Sequence, residues 1–321
     1  MNNFWDRYPN FKTDLEEVVK IMKLNAHSRE RVIEEALLDL IASGGKLLRP
    51  GFLLISGSFG TYDRDKLCNL AAVIEMLHMA TLVHDDIIDD AKSRRGNETI
   101  QSKYGKDYAV FMGDILFARC FMALSINTSM ENMKLLSEAI FNICTGEIEQ
   151  YSSHYSKEMS VKKYLKRIAG KTAALFSLSC YIGAYESSCD GELISNLSKA
   201  GYEIGMAFQI IDDILDYTAD SKTVGKPTGN DLREGIFTLP LIYAVKRDKS
   251  QLLPILSKDK YSDDDIESII NITKVLGGID SARILARKYT DKAFKRISKL
   301  PDGESKRVFL EVAESLLCRE Y

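Results

Sequence analysis

Two long apolar helical runs in this chain each close on the same acidic pattern, Asp-Asp-x-x-Asp. The first is Asp85-Asp86-Ile87-Ile88-Asp89, reached through His78-Met79-Ala80-Thr81-Leu82-Val83-His84. The second is Asp212-Asp213-Ile214-Leu215-Asp216, reached through Met206-Ala207-Phe208-Gln209-Ile210-Ile211. Folding alone gives no reason for this. Like charges at i,i+4 destabilise a helix by roughly 0.2–0.5 kcal/mol per pair, and carboxylates near a helix C-terminus oppose its dipole. The first and third aspartates of each cluster lie four apart and share a face. Two carboxylate walls call for multivalent cations between them. Hard oxygen donors point to Mg²⁺, which finishes its coordination shell with water and phosphate oxygens.

The periodicity around these clusters is helical almost throughout. It predicts helices over about 11–24, 28–43, 47–58, 63–91, 103–126, 130–155, 160–187, 191–219, 236–247, 263–273, 279–298 and 304–317. Strand alternation with hairpin turns is absent. No Pro-, Gly- or Ser-rich linker divides the 321 residues, and the 45% apolar content can fill a large core. The expectation is an all-α, single-domain bundle of long helices around a central cavity, covering 1–321. The pattern of apolar helix, Asp-Asp-x-x-Asp and basic glycine-bearing loop occurs once per half, which suggests two helices facing one cavity.

A net charge of −3 leaves no global basic field for nucleic acid. The positive charge is local. Lys46 and Arg49 stand in Gly44-Gly45-Lys46-Leu47-Leu48-Arg49-Pro50. If that stretch opens a helix, the two cations sit three apart on one face, beside free N–H groups that suit an anion. Arg94-Arg95 follows the first cluster, and guanidinium matches phosphate bidentately. Read singly, each of these is an ordinary solvated charge. Gly170-Lys171-Thr172 invites a nucleotide-binding loop, but that loop needs a glycine where Leu165 stands. His78 lies two turns before Asp85 on a similar face and could meet a phosphate, or be a satisfied core histidine. His84 reads as a supporting or core residue. Gln209 points into the region of Asp212. Together, two acidic walls, several basic elements and an apolar helical tunnel suggest phosphorylated ligands with apolar tails.

The chain resembles the trans-isoprenyl diphosphate synthases, or polyprenyl synthetases. The resemblance runs from about residue 40 to 300. It rests on Gly44-Gly45-Lys46-x-x-Arg49-Pro50, His78-x5-His84-Asp85-Asp86-x-x-Asp89, Arg94-Arg95-Gly96 and Gly170-Lys171-Thr172-Ala173, then on Phe208-Gln209-x-x-Asp212-Asp213-x-x-Asp216, Gly225-Lys226-Pro227, Gly229-Asn230-Asp231-Leu232 and Thr238-Leu239-Pro240. It implies a homodimeric helical enzyme with three Mg²⁺ ions per active site. Asp85, Asp86, Asp89 and Asp212 would be the principal metal ligands, with Asp213 and Asp216 ligands or supporting groups. Arg94, Lys171, Gln209 and Lys226 would contact the allylic diphosphate. Lys46, Arg49, His78 and Arg95 would hold isopentenyl diphosphate. Thr172 and Gln209 would turn oxygen dipoles toward the carbocation formed when the allylic C–O bond ionises. Two residues depart from the family pattern, Leu47 where a basic residue is frequent and Ile236 where shorter-chain members have lysine.

Product length should be set by the helix before Asp85. Thr81 and Ala80 lie about 6–7.5 Å below that aspartate. Short-chain relatives tend to have an aromatic floor there, whereas both residues here are small. Leu77, and then Val73, are the next stops, which predicts a product of six or more isoprene units. A farnesyl or geranylgeranyl synthase is the shorter alternative. A terpene cyclase would replace the second aspartate cluster, and an inactive subunit would lose aspartates. Some relatives need a small helper chain. Six cysteines without a CxxC pair and an N-terminus lacking a secretory pattern suggest a reduced, cytoplasmic setting. No membrane span is expected, although an oily product allows transient membrane contact.

Overall fold

The computed structural model describes residues 3–94, 96–151, 159–218, 228–258 and 260–317. The chain opens with a 3₁₀ turn, Asn3–Trp5, then α1 (Pro9–Asn25), α2 (Arg31–Ala42), α3 (Leu48–Gly57) and α4 (Arg64–Ile88). A two-residue antiparallel pair follows, β1 (Ser93–Arg94) with β2 (Asn97–Glu98). Next come α5 (Ile100–Tyr104), α6 (Lys106–Asn127), α7 (Met130–Tyr151), α8 (Val161–Ile168), a π turn (Ala169–Ala173), α9 (Ala174–Glu186) and α10 (Gly191–Thr218). The rest is α11 (Asn230–Arg233), α12 (Leu239–Arg247), α13 (Leu253–Leu256), α14 (Asp263–Val275), α15 (Gly278–Ile297) and α16 (Glu304–Leu317).

The all-α reading holds, with local differences. Strand pairing was not expected, yet Arg94 pairs with Asn97 in a ladder too short to show a period of two. The helix expected over 103–126 is two helices, because Gly105 takes φ +93° and breaks the run. The helix expected over 160–187 changes to π geometry at Ala169–Ala173. The helix expected from 236 begins at Leu239, with proline in its first turn where its missing N–H costs nothing.

The contacts divide the chain into two compact units: Met1–Leu136, Leu178–Ser198 and Pro301–Phe309 form one, and Ser137–Ser177, Lys199–Leu300 and Leu310–Tyr321 the other. Four of the five boundaries fall inside α7, α9, α10 and α16, and the fifth, at Leu300/Pro301, lies between α15 and α16. In the first unit α4 packs most extensively against α6, and also against α1 and α3. Leu67, Leu70, Val73, Leu77 and Ala80 of α4 are buried, as is Phe52 of α3, which meets Phe309 edge-on. In the second unit α12 packs on α14 and α15. A reciprocal Ser262–Asp265 box starts α14.

Among the described residues, two helices are long and apolar enough to cross a membrane by length and composition alone, α4 and residues 106–126 of α6. The apolar window of α4 is 72% buried in protein, as befits a core helix, whereas that of α6 is only 33% buried. Phe111, Met122 and Ile126 stand on the exposed surface of α6. Cys68, Cys120 and Cys180 are buried free thiols.

Candidate active site

The first acidic cluster belongs to the first unit and forms the C-terminal turn of α4. Asp89 caps the helix in αR geometry, and Asp90 follows at φ +49°, a left-handed conformation that Asp tolerates better than most residues. Ala91 N returns to Asp86 O at 2.9 Å, closing the helix end as glycine does elsewhere. Gln101 Nε2 donates to the carbonyls of Asp86 and Ala91, at 2.7 and 2.8 Å. This fixes the turn that carries the carboxylates. The Asp85 and Asp86 residues are each 7% exposed. Burial pushes the Asp86 carboxyl up from its ordinary range, opposed by the guanidinium of Arg94, whose Nε lies 2.7 Å from Oδ1. The β1–β2 pair delivers Arg94 to this place. Asp90 turns to Lys92 and Lys106 instead, at 3.3 and 3.0 Å.

The other expected members of this half take different positions. Lys46 and Arg49 do not share a helix face, because α3 starts only at Leu48 and Leu47 before it is left-handed at φ +49°. The Leu47 side chain is buried, so this departure from the family pattern supplies packing rather than a cation. His78 is part-buried, and its carbonyl accepts from Thr81 Oγ1 at 2.8 Å. His84 faces α6, with Nε2 3.3 Å from Val110 O and its ring 5.7 Å from that of Phe117. Ala80 and Leu77 are fully buried, and Thr81 keeps accessible surface. Arg95 and Lys226 lie outside the described residues.

The second half belongs to the other unit. The π turn carries Lys171 and Thr172 and packs against α10, where Ala173 meets Gly205. Such single π turns occur frequently at functional sites. Thr172 Oγ1 donates to Gln209 Oε1 at 2.7 Å, Gln209 Nε2 donates to Asp213 Oδ1 at 2.8 Å, and Tyr164 OH donates to Asp213 Oδ2 at 2.7 Å. The chain of donors therefore ends on one carboxylate. Burial raises the Asp213 carboxyl to about 7 despite these hydrogen bonds, with adjacent Asp212 adding to the rise. Asp212 itself is exposed. Asp216 accepts backbone N–H groups from Asn230 and Asp231 at 3.0 and 3.2 Å, fastening α11 to the end of α10. Asp231 is raised well above its ordinary range by burial and by Asp213 and Asp216.

Sequence reasoning missed Tyr164 and Asp231. Asp231 sits in the Gly229-Asn230-Asp231-Leu232 motif and could have been found there. Tyr164 gives no local signal, since only the packing of α8 on α10 joins it to Asp213. Among the described residues, no three His, Cys, Asp or Glu side chains converge as a ready-made metal cage. The donor set still suits Mg²⁺, which is commonly held by one or two carboxylates together with substrate phosphates.

The polyprenyl synthetase family model matches residues 30–273. The chain belongs to the polyprenyl synthetase family. Heptaprenyl diphosphate synthase component 2 of Bacillus subtilis is 37% identical over 316 residues, covering 98% of this chain and 90% of that protein. Among solved polyprenyl synthetase structures, geranylgeranyl pyrophosphate synthase from Lactobacillus brevis superposes with a TM-score of 0.93 at 34% identity, covering 98% of this chain and 99% of that one. A polyprenyl synthase from Caulobacter crescentus, complexed with calcium and isoprenyl diphosphate, gives a TM-score of 0.90 at 31% identity, covering 97% and 96%.

Proposed function

We propose that this chain is a Mg²⁺-dependent prenyltransferase that condenses isopentenyl diphosphate with an allylic diphosphate into a trans polyprenyl diphosphate of six or more units. The observation that carries this reading is the pair of aspartate clusters, each closing a long helix and each with one carboxylate held buried by donors, Asp86 by Arg94 and Asp213 by Gln209 and Tyr164. In this reading the family match, which spans residues of both units, corresponds to one catalytic domain.

Asp85, Asp86, Asp89 and Asp212 would hold Mg²⁺, with Asp213 and Asp216 completing or bracing the set. Bound Mg²⁺ supplies charge neutralisation to the leaving diphosphate. Arg94, Lys171 and Lys226 bind the allylic diphosphate and stabilise the charge it gains as the C–O bond breaks. Lys46, Arg49, His78 and Arg95 orient isopentenyl diphosphate so that its double bond meets the allylic carbon. Thr172 commits its proton to Gln209, which leaves hydroxyl lone pairs available to a carbocation. The apolar walls keep water from that cation.

Chain length follows from small residues at Ala80 and Thr81, with Leu77 beneath them, and a heptaprenyl relative agrees. The exposed apolar face of α6 supports assembly as a homodimer. A second reading, a catalytic half that needs a small helper chain, is favoured by the name component 2 on that relative. A cytoplasmic enzyme with transient membrane contact fits an oily product. The test is to incubate the purified protein with Mg²⁺, labelled isopentenyl diphosphate and allylic primers of several lengths. Chromatography of the dephosphorylated products should show chains of thirty or so carbons or longer, at about five carbons per unit. Activity restored only by a helper chain would select the second reading, and products of five units or fewer would reject the length.

A further inference from the structure

We infer that Trp5 is a positioning residue for the loop that receives isopentenyl diphosphate. Lys46 precedes α3, so helix geometry does not fix it. What holds its backbone is remote in sequence: the Trp5 indole Nε1 donates to Lys46 O at 2.6 Å, across 41 positions. Trp5 is 1% exposed. Its ring meets Phe4 and Tyr8 edge-on, with centroids 5.2 and 6.1 Å apart. The ring also fills the place of a side chain on α3. A Cβ on Gly51 would come within 2.2 Å of the indole, so glycine there is the condition for the indole's seat. Lys46 Nζ lies 6.0 Å from the Phe4 ring centroid. Thus the two aromatic residues of one 3₁₀ turn touch both the backbone and the cation of Lys46.

The segment so held is a strained one. Leu47, between the two cations, is left-handed at φ +49°, and Gly51 N donates to Leu47 O at 2.9 Å. A non-glycine residue keeps such a conformation only when its surroundings impose it. Trp5 secures the turn from the N-terminal side and the first turn of α3 secures it from the other, which sets the spacing of Lys46 and Arg49. This inference rests on the synthase reading, in which those two cations hold isopentenyl diphosphate.

Trp5 is the only tryptophan in the chain, so its emission reports this contact without a label. Isopentenyl diphosphate added alone to the full chain should change the emission saturably, with a midpoint near its KM. Trp5→Phe keeps a ring but loses the N–H donor. It should raise KM for isopentenyl diphosphate roughly tenfold, while kcat and the allylic KM stay within about twofold, as expected for loss of one hydrogen bond. Gly51→Ala, which displaces the ring, should do the same. An unchanged KM in Trp5→Phe, or no emission change at saturating isopentenyl diphosphate in an active enzyme, overturns the inference. A fall in kcat with both KM values unchanged marks a merely structural role and also overturns it. If the unmodified chain, with or without a helper, makes no polyprenyl product, the synthase reading fails instead. If Trp5→Phe does not fold, the emission titration of the unmodified chain decides.

Discussion

Arg94 Nε donates to Asp86 Oδ1 across 2.7 Å, so the guanidinium after the first acidic cluster is held against that cluster by one of its carboxylates. The pairing offsets part of the cost of burying Asp86 and aims the rest of the guanidinium. Arg94→Ala removes both effects. The kcat should fall roughly 10²-fold, the scale for loss of one donor to developing charge, with partial recovery in Arg94→Lys. Steady-state rates over a range of Mg²⁺ concentrations would measure it, and a fall under threefold would exclude Arg94 from the diphosphate site.

Tyr164 braces the second cluster. Its hydroxyl donates to Asp213 Oδ2, and burial leaves Asp213 little alternative solvation. Tyr164→Phe should cost about 1–3 kcal/mol in denaturant unfolding, because a buried acceptor loses its partner. The allylic KM should rise, with KM for isopentenyl diphosphate unaffected, since Tyr164 leads through Asp213 to Gln209 and Thr172. A variant as stable as the unmodified chain would show that this hydrogen bond is not formed.

Aspartates in the two patterns are not equivalent. Asp90 extends the first cluster in sequence but turns aside to Lys92 and Lys106. Asp212 is the exposed member of its group. Asp212→Asn should reduce synthesis by about 10²-fold or more, because under the proposed function it removes a charged metal ligand, whereas Asp90→Asn should leave the rate within about threefold. Equal losses in the two variants would contradict this division.

Much of this arrangement was legible in the sequence because it depends on local periodicity. The long apolar runs ending at Asp85 and Asp212 specify α4 and α10 directly, and the aspartates follow from i,i+4 geometry. What stayed hidden depends on tertiary contact or on local conformation without a period. The left-handed Leu47 separates Lys46 from the α3 face, and no pattern announces it. The π turn at Lys171 reads as continuous helix. The Tyr164–Asp213 and Trp5–Lys46 hydrogen bonds join residues 49 and 41 positions apart, beyond any windowed reading.

Product length tests the α4 face. Thr81 is the member of its trio with accessible surface, whereas Ala80 and Leu77 are fully buried. Thr81→Phe should shorten the product by at least one isoprene unit without loss of total incorporation. Ala80→Phe should also shorten it, at an added stability cost of about 1–3 kcal/mol from overpacking. Chromatography of dephosphorylated products with unchanged length in both variants would remove α4 as the floor.

Cation binding, measured with Mn²⁺ in place of Mg²⁺ by electron paramagnetic resonance, with and without an unreactive allylic thiolodiphosphate, tests the proposed metal site itself. About three tightly bound ions per chain are expected only when the diphosphate is present, a number reduced by either Asp85→Asn or Asp212→Asn. Binding that ignores the diphosphate, or that survives both substitutions unchanged, would contradict it.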